Sequence, residues 1–128
     1  MPIVDSSSYQ APSYLINGHF ETIVPSLFRK IKELTYEREK IHTPDDDFLN
    51  LDWSKVGSDK LLIISHGLEG DSYRHYAMGL AKLFNQHHVD VLAWNNRSCG
   101  GEMNLQPILY HHGASYDLDT VIEHTRNT

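Results

Sequence analysis

With 128 residues and 40% hydrophobic content the chain can build one domain around a core. A formal net charge of −6 leaves no basic stripe to neutralise phosphates, which argues against a nucleic-acid partner. One cysteine, Cys99, excludes an internal disulfide, and the sequence shows neither a signal-peptide pattern nor an apolar run of membrane-spanning length, so a cytoplasmic location is the expectation.

Residues 1–16 are polar and serine-rich and read as a flexible arm, with residues 17–128 as the domain. Between Asn17 and Leu34, the residues Phe20, Ile23, Val24, Leu27, Phe28 and Ile31 recur at helical spacing despite Pro25, predicting a helix that lies on a larger body. The short basic run Arg29-Lys30-Ile31-Lys32 reads as a solvated helix face in preference to a membrane-surface anchor. Tyr36 to Ile41 and Leu49 to Trp53 alternate apolar with polar residues around the turn-forming Pro44-Asp45-Asp46-Asp47, which predicts an antiparallel hairpin.

Leu61-Leu62-Ile63-Ile64-Ser65 follows, four consecutive aliphatics that suit a parallel strand covered on both faces. It ends in His66-Gly67-Leu68-Glu69-Gly70, where two glycines let the backbone leave the strand sharply and approach a ligand. Ser72 is placed to cap a helix whose apolar stripe is Tyr73, Tyr76, Ala77, Leu80, Ala81 and Phe84, ending at His87-His88. Val89 to Trp94 is a second strand, giving a parallel strand–helix–strand unit. Ligands in such sheets bind beyond the carboxyl ends of the strands, which puts His66-Gly67-Leu68 and Asn95-Asn96-Arg97 on one rim. A Gly-rich loop leads to a last helix from about Tyr116, with no glycine cap and no strand after it.

Five motifs in order carry a family resemblance. They are Asn17-Gly18-His19 with Thr22, the hairpin from Asp45 to Trp53, His66 to Gly70 followed by Tyr76, Asn96-Arg97 with Gly100-Gly101-Glu102, and Tyr110-His111 with Gly113 and Asp117-Leu118. In these the chain resembles the N-terminal part of YheT-type α/β-hydrolases, a group of esterases, lipases and acyltransferases. The fold implied is the opening portion of an α/β-hydrolase domain, the hairpin leading into the parallel unit, and incomplete. The activity implied is that of a serine carboxylic-ester hydrolase or acyltransferase. It uses no cofactor and takes a small-molecule or lipid-like ester.

In that family one of the two amides that hold the reaction's oxyanion comes from the His-Gly turn, which assigns the role to the Leu68 amide. The second donor follows the nucleophile, yet none of the eleven serines lies in a G-x-S-x-G frame. The nucleophile, acid and catalytic histidine are therefore expected downstream, and the chain alone is expected to be inactive. Ser98 and Asp46 stand where the family usually has glycine, and His112 where serine is frequent.

His66 and Gly67 are read as shaping the turn, with His66 bracing it by hydrogen bonds. Arg97 and Glu102 either contact a substrate or salt-link the loop, the second being favoured. Tyr110, His111 and His112 either line an acyl pocket or anchor their loop, and the acids Asp117 and Asp119 read as helix caps. Adjacent histidine pairs lack zinc-helix spacing, so no metal site is expected, and Cys99 has no identifiable base. A non-catalytic binding module or fold remnant is the alternative function. Unpaired strand edges are expected to let the isolated chain self-associate.

Overall fold

The structure is a computed structural model and describes residues 6–111 and 113–127; Met1 to Asp5, His112 and Thr128 lie outside the described residues. It divides into two compact units, Met1–Lys30 and Ile31–Thr128.

The first unit holds α1 (Gly18–Phe28), started by Asn17, whose Oδ1 accepts from the N–H groups of His19 and Phe20. That satisfies two of the amides a helix start leaves without partners. Thr22 donates its hydroxyl to the Gly18 carbonyl. The helix stops at Phe28, so Arg29, Lys30 and Lys32 are outside it and do not form the solvated helix face expected of them.

The second unit is a four-stranded sheet in the order β1-β2-β4-β3, formed by β1 (Glu37–His42), β2 (Phe48–Ser54), β3 (Leu61–Ser65) and β4 (Asp90–Asn95). β1 and β2 make the antiparallel hairpin, β2 runs antiparallel to β4, and β3 and β4 are parallel. α2 (His75–Gln86) joins β3 to β4, and α3 (Ser115–Arg126) follows the loop. The two helices cover opposite faces. Ala77 and Ala81 of α2 pack with Ile64, Val91 and Ala93, whereas Val121 and Leu118 of α3 pack with Ile41, Leu49, Leu51, Trp53, Leu92 and Trp94. The small alanines bring α2 close to the sheet, while α3 meets larger side chains.

Although β2 alternates apolar and polar residues, every residue from Phe48 to Ser54 is buried. Its polar members serve a buried network. Asp52 accepts from Arg38 at 2.8 Å through both oxygens and from the Asn95 amide at 2.8 Å. Ser72 belongs to the same network: its hydroxyl donates to Asp52 and its N–H to Asn95 Oδ1 at 3.0 Å. Ser72 thus caps nothing, and α2 begins at His75 after Arg74 with no side-chain cap. Ties to buried partners outweigh a cap that water could replace.

Candidate functional site

The carboxyl ends of β3 and β4 open into a cavity of about 470 Å³ on the α3 side of the sheet. Its walls come from four places in the chain. β3 and its turn supply Ser65, His66, Gly67 and Leu68; β4 supplies Trp94 and Asn96 beyond it; the loop supplies Tyr110 and His111; the start of α3 supplies Ala114, Ser115 and Leu118. Among the described residues no Lys, Arg, Asp or Glu lines it.

The turn is held from several directions. His66 is buried, its Nε2 accepts from the Asn96 N–H at 3.0 Å, and its Nδ1 lies 2.8 Å from the Gly67 carbonyl. With Nε2 used as acceptor, the ring proton belongs on Nδ1, where it donates to Gly67. Both nitrogens are then occupied and the ring links the ends of β3 and β4. The Gly67 N–H donates to the Tyr76 hydroxyl at 3.1 Å, the Glu69 N–H to the Tyr110 hydroxyl at 2.6 Å, and the Gly70 N–H to the Gly67 carbonyl at 3.0 Å. Among the described residues the Leu68 N–H has no such partner. A Cβ at Gly70 would sit 2.9 Å from the Tyr76 hydroxyl and 3.0 Å from the Gly67 carbonyl, so only glycine closes this turn without displacement.

Arg97 lies elsewhere. It is 2% exposed and gathers three carboxylates: Asp117 through Nη2 at 2.8 Å, Asp45 through Nη1 at 2.7 Å and Asp47 through Nη1 at 3.1 Å. It therefore ties the hairpin turn and the first turn of α3 to the loop after β4, and does not line the cavity. Asp117 in turn serves Arg97 and caps nothing; α3 begins after Ala114 without a side-chain cap.

The hydrogen bonds of Arg97 and Thr43 hold the Asp45 carboxyl down at about 2. Burial opposes ionisation of Asp47, but the N–H groups of Leu105, Gln106 and Phe48 and the Asn104 amide outweigh it and keep that carboxyl below its usual range. Glu102 bonds Lys40 at 2.8 Å and Asn50 at 3.1 Å, pinning the same loop to the hairpin.

Of the residues singled out in the sequence, His66, Gly67, Leu68, Tyr110 and His111 come together at the cavity. His111 accepts the Gly113 N–H on Nδ1 at 3.1 Å and meets the Tyr116 ring edge-on. His112 lies outside the described residues. Cys99 sits beside Tyr110, and burial pushes its thiol up, with the Tyr110 hydrogen bond opposing. That is the reverse of what a thiolate nucleophile needs. Among the described residues no group of three His, Cys, Asp or Glu side chains is arranged to hold a metal ion. Trp94 and the first turn of α3 were not singled out as cavity walls. The strand-end rule and the spacing of Ala114 and Leu118 contain that signal, but only the packing of α3 turns it toward β3.

The mixed sheet, its two helical layers and the cavity beyond the parallel strand ends define an α/β-hydrolase fold, of which the chain covers part. The solved esterase Pf2001 of Pyrococcus furiosus has this arrangement, with a TM-score of 0.61 and 23% identity over 78% of this chain and 42% of that one. In sequence the chain is similar to YheT-type members of that class. It is 32% identical to YheT of Escherichia coli, named as an esterase, over 79% of this chain and 31% of that protein. It is 24% identical to the human phospholipase ABHD3 over 98% of this chain and 33% of that one. The chain thus spans about a third of the length of these relatives. No family model matches it.

Proposed function

We propose that these residues are the N-terminal part of a serine carboxylic-ester hydrolase or acyltransferase, and that they supply the Leu68 amide to its oxyanion hole. The observation that carries this reading is the turn itself. The N–H groups of Gly67, Glu69 and Gly70 are taken up by the protein, and that of Leu68, at the cavity wall, is left for a ligand. A fixed N–H that needs no reorientation is what stabilises negative charge as it forms. A serine contributed by the remainder of the domain attacks the ester carbonyl, and a histidine and acid from the same region manage the proton. The oxyanion is shared by Leu68 and the amide after the serine.

His66 is a brace in this mechanism and moves no proton, since both its nitrogens are committed. Gly67 leaves open space at the cavity, where a side chain would stand. Tyr110 fixes the turn through Glu69, and His111 forms wall. Arg97 acts at a distance by holding the loop that carries Asn96, the partner of His66. The cavity's uncharged lining suits the acyl part of a neutral or lipid-like ester. The protein works in the cytoplasm on this reading and needs no cofactor.

The test compares the 128-residue chain with a polypeptide that continues through the remaining two thirds of the domain, using short and medium acyl nitrophenyl esters. The short chain is expected to give background hydrolysis and the longer one saturable turnover. Saturable turnover by the short chain that survives Cys99→Ala would overturn the proposal. So would a folded longer chain without esterase or acyl-transfer activity, which is the outcome a non-catalytic module gives.

A further inference from the structure

α1 is a helix in which no residue is buried. Phe20, Ile23, Val24, Leu27 and Phe28 fall on one side of it, and Phe20, Ile23, Leu27 and Phe28 are 45, 53, 68 and 71% exposed. Single exposed apolar residues are ordinary, but four large ones on one face of an eleven-residue helix make a continuous patch. The charges at the carboxyl end of the patch are both positive. Glu21 is the one acid among residues 6–30, and it accepts the Tyr9 hydroxyl at 3.3 Å. Arg29 and Lys30 follow the helix directly, exposed, and neither forms an ion pair among the described residues. Nearly all the acids of this acidic chain fall in the second unit.

An apolar stripe with two cations at its carboxyl end is complementary to an anionic lipid surface, which would repel the acidic second unit. We infer that α1 docks on such a surface, with Phe20, Ile23 and Leu27 entering the acyl boundary and Arg29 and Lys30 meeting lipid phosphates. The helix lies in the interface and does not cross it, since eleven residues reach only about 16 Å against a hydrocarbon core of about 30 Å. Lysine and arginine there gain from the surface potential while their stems add apolar contact. Binding by one short helix is reversible and salt-sensitive.

The experiment is co-sedimentation of the 128-residue chain with phosphatidylcholine vesicles, with and without phosphatidylglycerol, at low and high salt. At least about tenfold more protein is expected on the anionic vesicles at low salt, and high salt should release most of it. Ile23→Glu with Leu27→Glu should abolish binding, and Arg29→Gln with Lys30→Gln should reduce it about tenfold. Both pairs lie outside the sheet, so circular dichroism and the fluorescence of Trp53 and Trp94 should be unchanged. Equal binding to neutral and anionic vesicles, no binding to either, or binding unaffected by these substitutions in folded protein would overturn the inference. The last result would mean that another surface makes contact, and absence of binding that the patch belongs to a protein partner.

Discussion

Arg97 gathers three carboxylates, and its value depends on having all its partners. Burying a guanidinium costs several kcal/mol that only well-placed carboxylates offset, and removing it strands Asp117, 1% exposed, whereas Asp47 keeps the N–H groups of Phe48, Leu105 and Gln106 and the Asn104 amide. Arg97→Met is expected to lower stability by about 3–5 kcal/mol, read as a loss of denaturation midpoint. A change below 1 kcal/mol would mean that the cluster is solvated in solution.

The same cluster sets an acid limit. The Asp45 carboxyl is held at about 2, below the ordinary value near 4, so its stabilisation is complete above about pH 4 and disappears as the pH falls toward 2. Asp47 and Asp52 shift in the same direction. Melting temperature should therefore drop steeply across that window, and less steeply for Asp45→Asn. Equal slopes for the two proteins would remove Asp45 from the account.

Among the elements, those whose pattern is local were legible in the sequence and those that depend on distant partners were not. The hairpin, the parallel pair and α2 appear within a residue or two of where alternation, aliphatic runs and helical spacing put them. The burial of β2's polar positions was not legible, because Asn50 and Asp52 alternate just as solvent-facing residues do. The partners of Asp52, Ser72 and Asn95, lie 20 and 43 residues away in sequence and Glu102, the partner of Asn50, lies 52 away, so nothing local distinguishes the two cases. Asp117 misled for the same reason: a first-turn acid reads as a cap, and its true partner is Arg97. The His-Gly turn, by contrast, was readable, because glycines after an aliphatic strand have few other uses.

The end of α2 provides a test at this scale. The Val89 N–H donates to the Phe84 carbonyl and the His88 N–H to the Asn85 carbonyl, each at 3.0 Å, a helix stop that places His88 at φ 56°. That backbone region favours glycine, so His88→Gly should stabilise the protein by about 1 kcal/mol without altering the cavity. Ser98, at φ 63°, and Asp46, at φ 59°, adopt the same left-handed backbone. A destabilised His88→Gly protein would mean that the imidazole makes contacts worth more than the strain.

For the whole molecule, the sheet order leaves β3 paired only with β4 among the described residues, although its side chains are those of an interior strand. A free aliphatic edge with neither charge nor proline is a template for another strand. The 128-residue chain is expected to associate in solution through Leu61 to Ser65, most simply by antiparallel pairing about a two-fold axis. Light scattering with hydrogen exchange at Leu62 to Ile64 checks this, and a monomer that strongly protects those amides would contradict it.

The most direct measurement of the central proposal, that the Leu68 amide holds the oxyanion, is the turnover of two variants in the polypeptide that completes the domain. Leu68→Pro removes the N–H, and losing one such donor is worth about 10² to 10³ in kcat, whereas Leu68→Ala keeps the N–H and should cost little. With folding of both variants verified by circular dichroism, the account predicts that wide separation. Equal turnover for the two would show that the side chain or the turn's shape matters, and not the amide.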